Sequence, residues 1–229
     1  MPNLQALIFD MDGVLVDNTL FQARALQLFL RDQHLEGDAY EMLRRLNGAP
    51  ISGILQEVLP DPQPADEQLS ALAEQRDLLY RTLYWDERRA MPGLVGFLEA
   101  ARAAGLQVGL GSGSGEASIA YILDGLDLRR HFDAVVGKDD VDRGKPHGDT
   151  YATTANKLGV KPEHCVVFED AVLGEQAAYR ARMHCVAVTS SLPGQAFQAP
   201  LAFIRDFTEL SVGRLQELFT GVGVALRAT

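Results

Sequence analysis

The alternation of apolar and polar positions changes character twice along the chain. Ala6, Leu7, Ile8 and Phe9 form a short unbroken apolar run, the pattern of a strand covered on both faces. Two carboxylates follow at once, Asp10 and Asp12, and Gly13 lets the chain turn away. Residues 18–90 contain no comparable run. Leu69, Leu72, Ala73, Leu79 and Leu83 recur at helical offsets, which predicts one apolar helix face, with Asp66 as N-cap and Glu67 in the first turn. Leu20, Phe21, Ala25, Leu28 and Phe29 predict a second amphipathic helix, and Pro60, Pro62 and Pro64 mark a loop. From Met91 onward helix and strand alternate. A helix is expected between Pro92 and Gly105, strands at 106–110, 134–136, 166–168 and 186–188, and helices near 116–126, 149–158 and 171–182. Residues 220–229 carry Gly and small side chains and are expected to fray.

Alternating β and α implies a parallel sheet with right-handed crossovers. The strand before Asp10 must join that sheet, because it could bury its two faces nowhere else. The expected class is therefore α/β: a Rossmann-like parallel sheet with helices on both faces, plus an inserted all-helical unit. Residues 1–17 and 91–229 make the discontinuous core, and residues 18–90 the helical cap.

Composition narrows the partners. The chain has 229 residues, a formal charge of −10 and no basic run, which argues against nucleic acid and anionic membranes. No apolar run approaches a membrane span, and no secretory leader is visible at the start. Cys165 and Cys185 each open an apolar run; buried, reduced thiols and a cytoplasmic location are expected, as is a monomer. An anionic ligand would have to be drawn in by local positive charge.

That charge and its partners lie just past the predicted strands, where open α/β sheets bind ligands. The second strand runs into Gly111-Ser112-Gly113-Ser114-Gly115, where a hydroxyl and free backbone N–H groups can hold an anion. The spacing fits neither a dinucleotide fingerprint nor a nucleophile elbow. Lys145, one of only four lysines, sits between Gly144 and Pro146 and can aim a compact charge at a phosphate. The fourth strand ends in Glu169-Asp170. Asp170 would serve as an ordinary N-cap. Capping does not account for four acids, Asp10, Asp12, Glu169 and Asp170, at one edge of one sheet. Their repulsion calls for a hard divalent cation with oxygen ligands, and Mg²⁺ suits a site that also holds phosphate.

In order and spacing, FDMDGVLVDN, LGSGS, DVDRGKP and VVFEDA resemble the haloacid dehalogenase-like hydrolases, nearest the β-phosphoglucomutase-like branch with a helical cap. The resemblance spans nearly the whole chain and implies a core of that family. It implies that Asp10 is a nucleophile and Asp12 a general acid/base. Ser112 and Lys145 would bind phosphate. Asp10, the Asp12 main-chain carbonyl, Glu169 and Asp170 would hold the metal. Dehalogenases of the family lack the second aspartate, and its phosphonatases use a cap lysine, absent from residues 18–90. Mutases carry a histidine where Gln22 stands and an arginine near Ala49-Pro50-Ile51-Ser52, for which Arg44 or Arg45 would have to substitute. His147-Gly148 replaces a frequent Ala-Pro, and Arg182 a frequent glycine.

Asp17, Asn18, Gln22, Asn47, Gly48, Gly113 and Ser114 are the candidate substrate contacts, while Tyr84 and Trp85 are expected in the core. The histidines show no ligand spacing, and His147 is not expected at the site. The leading expectation is a Mg²⁺-dependent phosphatase of a small phosphorylated metabolite, such as a sugar phosphate. A phosphosugar mutase and a non-catalytic phospho-ligand sensor are the alternatives.

Overall fold

The computed structural model describes residues 3–225. Strand β1 (Ala6–Phe9) lies at the centre of a six-stranded sheet with β2 (Gln107–Gly111), β3 (Ala134–Val136), β4 (Cys165–Glu169), β5 (His184–Val188) and β6 (Ala202–Ile204). The order is β3-β2-β1-β4-β5-β6, and every pairing is parallel. Chain order reverses at β1, which pairs with β2 on one side and β4 on the other, so the crevice beyond their carboxyl ends is the switch point where such sheets bind ligands.

Both faces of β1 are covered. Leu7 and Phe9 pack on one face with Val166 and Phe168; Ala6 and Ile8 pack on the other with Cys165 and Val167. This period of two explains why β1 and β4 read as unbroken apolar runs. Phe9 stacks on Phe168 at 4.7 Å between ring centroids. Helices α5 (Leu94–Ala103), α6 (Glu116–Leu123), α7 (Asp149–Leu158), α8 (Val172–Arg180) and α9 (Val212–Ala225) belong to this part of the chain. Helix α7 lies close on β2 because β2 offers glycines: a Cβ on Gly109 would sit 2.6 Å from Thr154, and one on Gly111 3.0 Å from Tyr151.

Between β1 and β2 the chain runs through α1 (Thr19–Asp32), α2 (Ala39–Arg45), α3 (Ile51–Gln56) and α4 (Asp66–Leu83). These helices enclose a separate apolar cluster that includes Leu26, Phe29, Met42, Leu55, Leu69 and Ala73. The returning chain is fastened to the departing one where Met91 N–H donates to the Leu15 carbonyl at 2.8 Å.

Several details differ from the sequence expectation. Helix α1 buries Ala23, Ala25, Leu26, Phe29 and Leu30, whereas Leu20 is 64% exposed and Leu28 is also exposed. It carries more apolar positions than one stripe can bury, and packing on α4 selects among them. Asp66 is the first residue of α4 rather than its cap; Ala65 holds that position without a side-chain bond, and Asp66 and Glu67 act on the helix dipole. Helix α5 begins at Leu94 behind left-handed Gly93, so Pro92 precedes the helix. Tyr84 is buried as expected, but Trp85 is 61% exposed, its ring covered by the Arg88 guanidinium at 4.4 Å. Residues 220–225 continue α9, and the rest of the segment expected to fray, 226–229, lies outside the described residues. No helix of the described residues is long and apolar enough to cross a membrane.

Candidate active site

At the switch point, Asp10 follows β1 directly, and its N–H donates to the Phe168 carbonyl at 3.0 Å. The next turn is closed by Gly13, at φ +76°. A Cβ there would lie 2.0 Å from Asp170 Oδ2, so only glycine lets these acids approach. Lys145 reaches in from the loop before α7 and donates to Asp10 Oδ1 and Glu169 Oε1, both at 2.6 Å. Tyr151, in the first turn of α7, donates to the same Glu169 oxygen. Glu169 Oε2 accepts from the N–H groups of Asp170 and Ala171, each at 3.0 Å. Gly174 makes room for this buried carboxylate, since a Cβ there would meet Oε1 at 1.7 Å. The N-cap of α8 is Ala171, so Asp170 is released from the ordinary capping role.

Asp10, Glu169 and Asp170 are buried and can offer oxygens within 4.8 Å of one another. Three carboxylates face one ammonium, a charge balance and an all-oxygen donor set that fit a divalent cation. Burial pushes the Asp10 carboxyl up to about 7; Lys145 opposes the shift, while Glu169 and Asp12 add to it. Asp170 is raised well above its ordinary value, first by burial and then by Glu169 and Asp10. For Lys145 burial works downward, but Asp10 and Glu169 outweigh it and hold the ammonium charged.

Asp12 stands apart from this cluster. Its Oδ2 accepts from Ser114 Oγ at 3.0 Å; its Oδ1 accepts from the amides of Asn18 at 2.5 Å and Gln22 at 3.2 Å. The Asn18 amide also donates to Tyr80 at 2.6 Å. Ser112 is buried, and its hydroxyl accepts the Ser114 N–H at 3.1 Å.

A cavity of about 630 Å³ opens over these groups. Asp10, Asp12, Ser112, Lys145 and Asp170 line it, together with Asn18, Gln22, Asn47, Gly48, Gly113 and Ser114. Glu169 lies beneath the lining, fully buried. Asp17 does not belong to the lining: it is exposed, while the next residue, Asn18, is buried. Arg45 is also outside, and His147 is exposed away from the lining.

Sequence reasoning missed Tyr151, Ser191, Arg76 and Tyr80. Ser190-Ser191 follows the apolar run of β5, the pattern that had marked Ser112. Arg76 and Tyr80 fall in the helical register of Leu69 and Ala73, where a buried arginine is out of place. For Tyr151 no spacing signal existed.

A family model described as haloacid dehalogenase-like hydrolase matches residues 4–182. The chain belongs to this hydrolase family. It is 37% identical over 182 residues to the fructose-1-phosphate phosphatase YqaB of Escherichia coli strain K12, covering 80% of this chain and 95% of that protein. Its fold matches a β-phosphoglucomutase from Clostridium difficile with a TM-score of 0.86 at 24% identity, over 96% of this chain and 99% of that one. A hydrolase from Pseudomonas syringae matches with a TM-score of 0.81 at 25% identity, over 93% and 98%.

Proposed function

We propose that the protein is a Mg²⁺-dependent phosphatase that hydrolyses the phosphate monoester of a small metabolite, a sugar phosphate above all, through an aspartyl phosphate. The observation that carries this reading is the meeting of Lys145 with three buried carboxylates, Asp10, Glu169 and Asp170, under one cavity. The likeness to a fructose-1-phosphate phosphatase over most of both chains supports it.

Asp10 attacks phosphorus in line and displaces the alcohol. Lys145 fixes the attacking carboxylate and, with the Ser112 hydroxyl, which the Ser114 N–H positions, and the Gly113 backbone, holds the equatorial oxygens. Asp12 gives its proton to the leaving oxygen and takes one from the water that cleaves the acyl phosphate. Ser114, Asn18 and Gln22 fix it for both steps. Asp10, Glu169, Asp170 and the Asp12 carbonyl would hold Mg²⁺, which would supply charge neutralisation at the phosphate. Residues 18–90 act as a cap that closes over the substrate and excludes bulk water.

Hydrolysis is favoured over a mutase by the two arginines of residues 18–90 that line the cavity: Arg44 is bonded through two nitrogens to Glu41, and Arg76 is committed to Asp77 and the Gln22 carbonyl. The test is a panel of phosphorylated metabolites, fructose 1-phosphate included, assayed with Mg²⁺ and with EDTA. Inorganic phosphate should be released from at least one compound, stop on chelation, and fall by roughly a thousandfold or more in Asp10→Asn. Conversion of a hexose 1-phosphate to its 6-isomer without free phosphate would establish the mutase; tight binding without product would establish a sensor.

A further inference from the structure

Asp170 is held by the helical insertion directly through Asn47 and indirectly through Ser191, a core residue that Thr19 touches. The Asn47 amide, in the loop between α2 and α3, donates to Asp170 Oδ2 at 3.3 Å and to its carbonyl at 3.4 Å. The Ser191 hydroxyl, beyond β5, donates to the same Oδ2. Ser191 in turn meets the Thr19 hydroxyl at 2.9 Å, and Thr19 opens α1. The loop itself lies close against the core, since a Cβ on Gly48 would touch that of Ala171 at 3.1 Å. Both ends of this grip converge on one oxygen of one acid in the carboxylate cluster.

We propose that Asn47 is a positioning residue for the cation site, and that cap seating and cation binding are coupled through Asp170. The inference rests on the cation-dependent reading above. Two donors occupy Oδ2, and no donor engages Oδ1 among the described residues. The carboxylate is thereby fixed in one orientation with an oxygen left to ligate. Removing the Asn47 amide frees the carboxylate to rotate and leaves the cation a poorer ligand. Linkage makes the effect reciprocal: a cation that orders Asp170 must also favour the seated loop, by the same free energy. Asn47 reaches no reacting atom here; it acts through Asp170.

The experiment is a calorimetric Mg²⁺ titration of the wild type, Asn47→Ala and Ser191→Ala, with hydrogen exchange of the 46–50 amides in the presence and absence of Mg²⁺. Asn47→Ala should weaken Mg²⁺ binding by about tenfold, the scale for losing a partner of a metal ligand. Ser191→Ala should act in the same direction. In the wild type Mg²⁺ should slow exchange in the loop, and in Asn47→Ala this protection should be lost. The Mg²⁺ concentration for half-maximal turnover should rise in Asn47→Ala by the same factor as the dissociation constant, a shift that a merely structural defect would not produce. Unchanged Mg²⁺ affinity in both variants, or loop exchange indifferent to Mg²⁺, would overturn the coupling and leave the phosphatase intact. Failure of the wild type to bind Mg²⁺ at all would overturn both.

Discussion

Arg182 sits in a left-handed backbone conformation, φ +61°, two residues past the end of α8 and just after its C-cap, Ala181. The family pattern often has glycine at this place, and the conformation is the reason: it is a helix C-terminus that turns through the αL region. A Cβ there costs roughly 1 kcal/mol. Gly148 has a related explanation. A Cβ on it would lie 2.8 Å from the Ala181 nitrogen, so the loop after Lys145 and the end of α8 pack too closely for any other residue. Both departures from the family are thus matters of backbone, remote from the chemistry. Arg182→Gly should raise stability, by less than the full strain because glycine also loosens the unfolded chain: about 0.5 kcal/mol, without changing turnover. Thermal denaturation checks this, and a loss of stability would contradict it. Asp10, Ser112 and Asp170 were legible as site candidates because each follows an apolar run, whereas Lys145 stood out only by its scarcity and its place between Gly144 and Pro146. Tyr151 and Asn47 were opaque in their roles, because what they do depends on which elements the fold brings opposite them.

Helix α4 shows what periodicity reveals and what it hides. Its predicted stripe is real at Leu69 and Ala73, but the same face also buries Arg76 and Tyr80. Arg76 pairs with Asp77 at 3.0 Å and donates to the Gln22 carbonyl at 2.8 Å, tying α4 to α1 beside the Asp12 network. Burial raises the Asp77 carboxyl and Arg76 opposes that shift. A buried pair is costly to break from one side, about 3–5 kcal/mol, because the remaining charge is stranded. Arg76→Met should therefore destabilise strongly, and Arg76→Met with Asp77→Asn should recover part of the loss. Denaturant unfolding of the two single variants and the double variant measures this coupling. Strict additivity would show that the two side chains do not interact. At the same scale, β1 and β4 were readable because burial on both faces leaves an unbroken apolar run. Strand β6 was not, because an edge strand of three residues with Phe203 half exposed carries almost no pattern.

Over the whole molecule, the acids at the sheet edge make stability depend on pH and on a cation together. With its site chelated, the folded protein holds a proton on Asp10 up to about 7, whereas the unfolded chain releases it near 3.8. A raised carboxyl contributes stability that is complete below the unfolded value and is lost as pH climbs through the folded one. Asp170 is shifted in the same direction. In EDTA, then, the wild type should lose stability across that window relative to Asp10→Asn, which has no such proton to release. The melting temperature of the variant minus that of the wild type should widen steadily as pH rises. Mg²⁺ favours the ionised acids and should reverse the trend in the wild type. At a hundred times its dissociation constant it adds about 2.7 kcal/mol, and each kcal/mol moves the midpoint of a chain this size by roughly 2–4 °C. Melting curves in EDTA and in Mg²⁺ across this range decide the matter. A difference that stays flat with pH in EDTA would mean that Asp10 is already ionised in the apo fold, with Lys145 outweighing its burial.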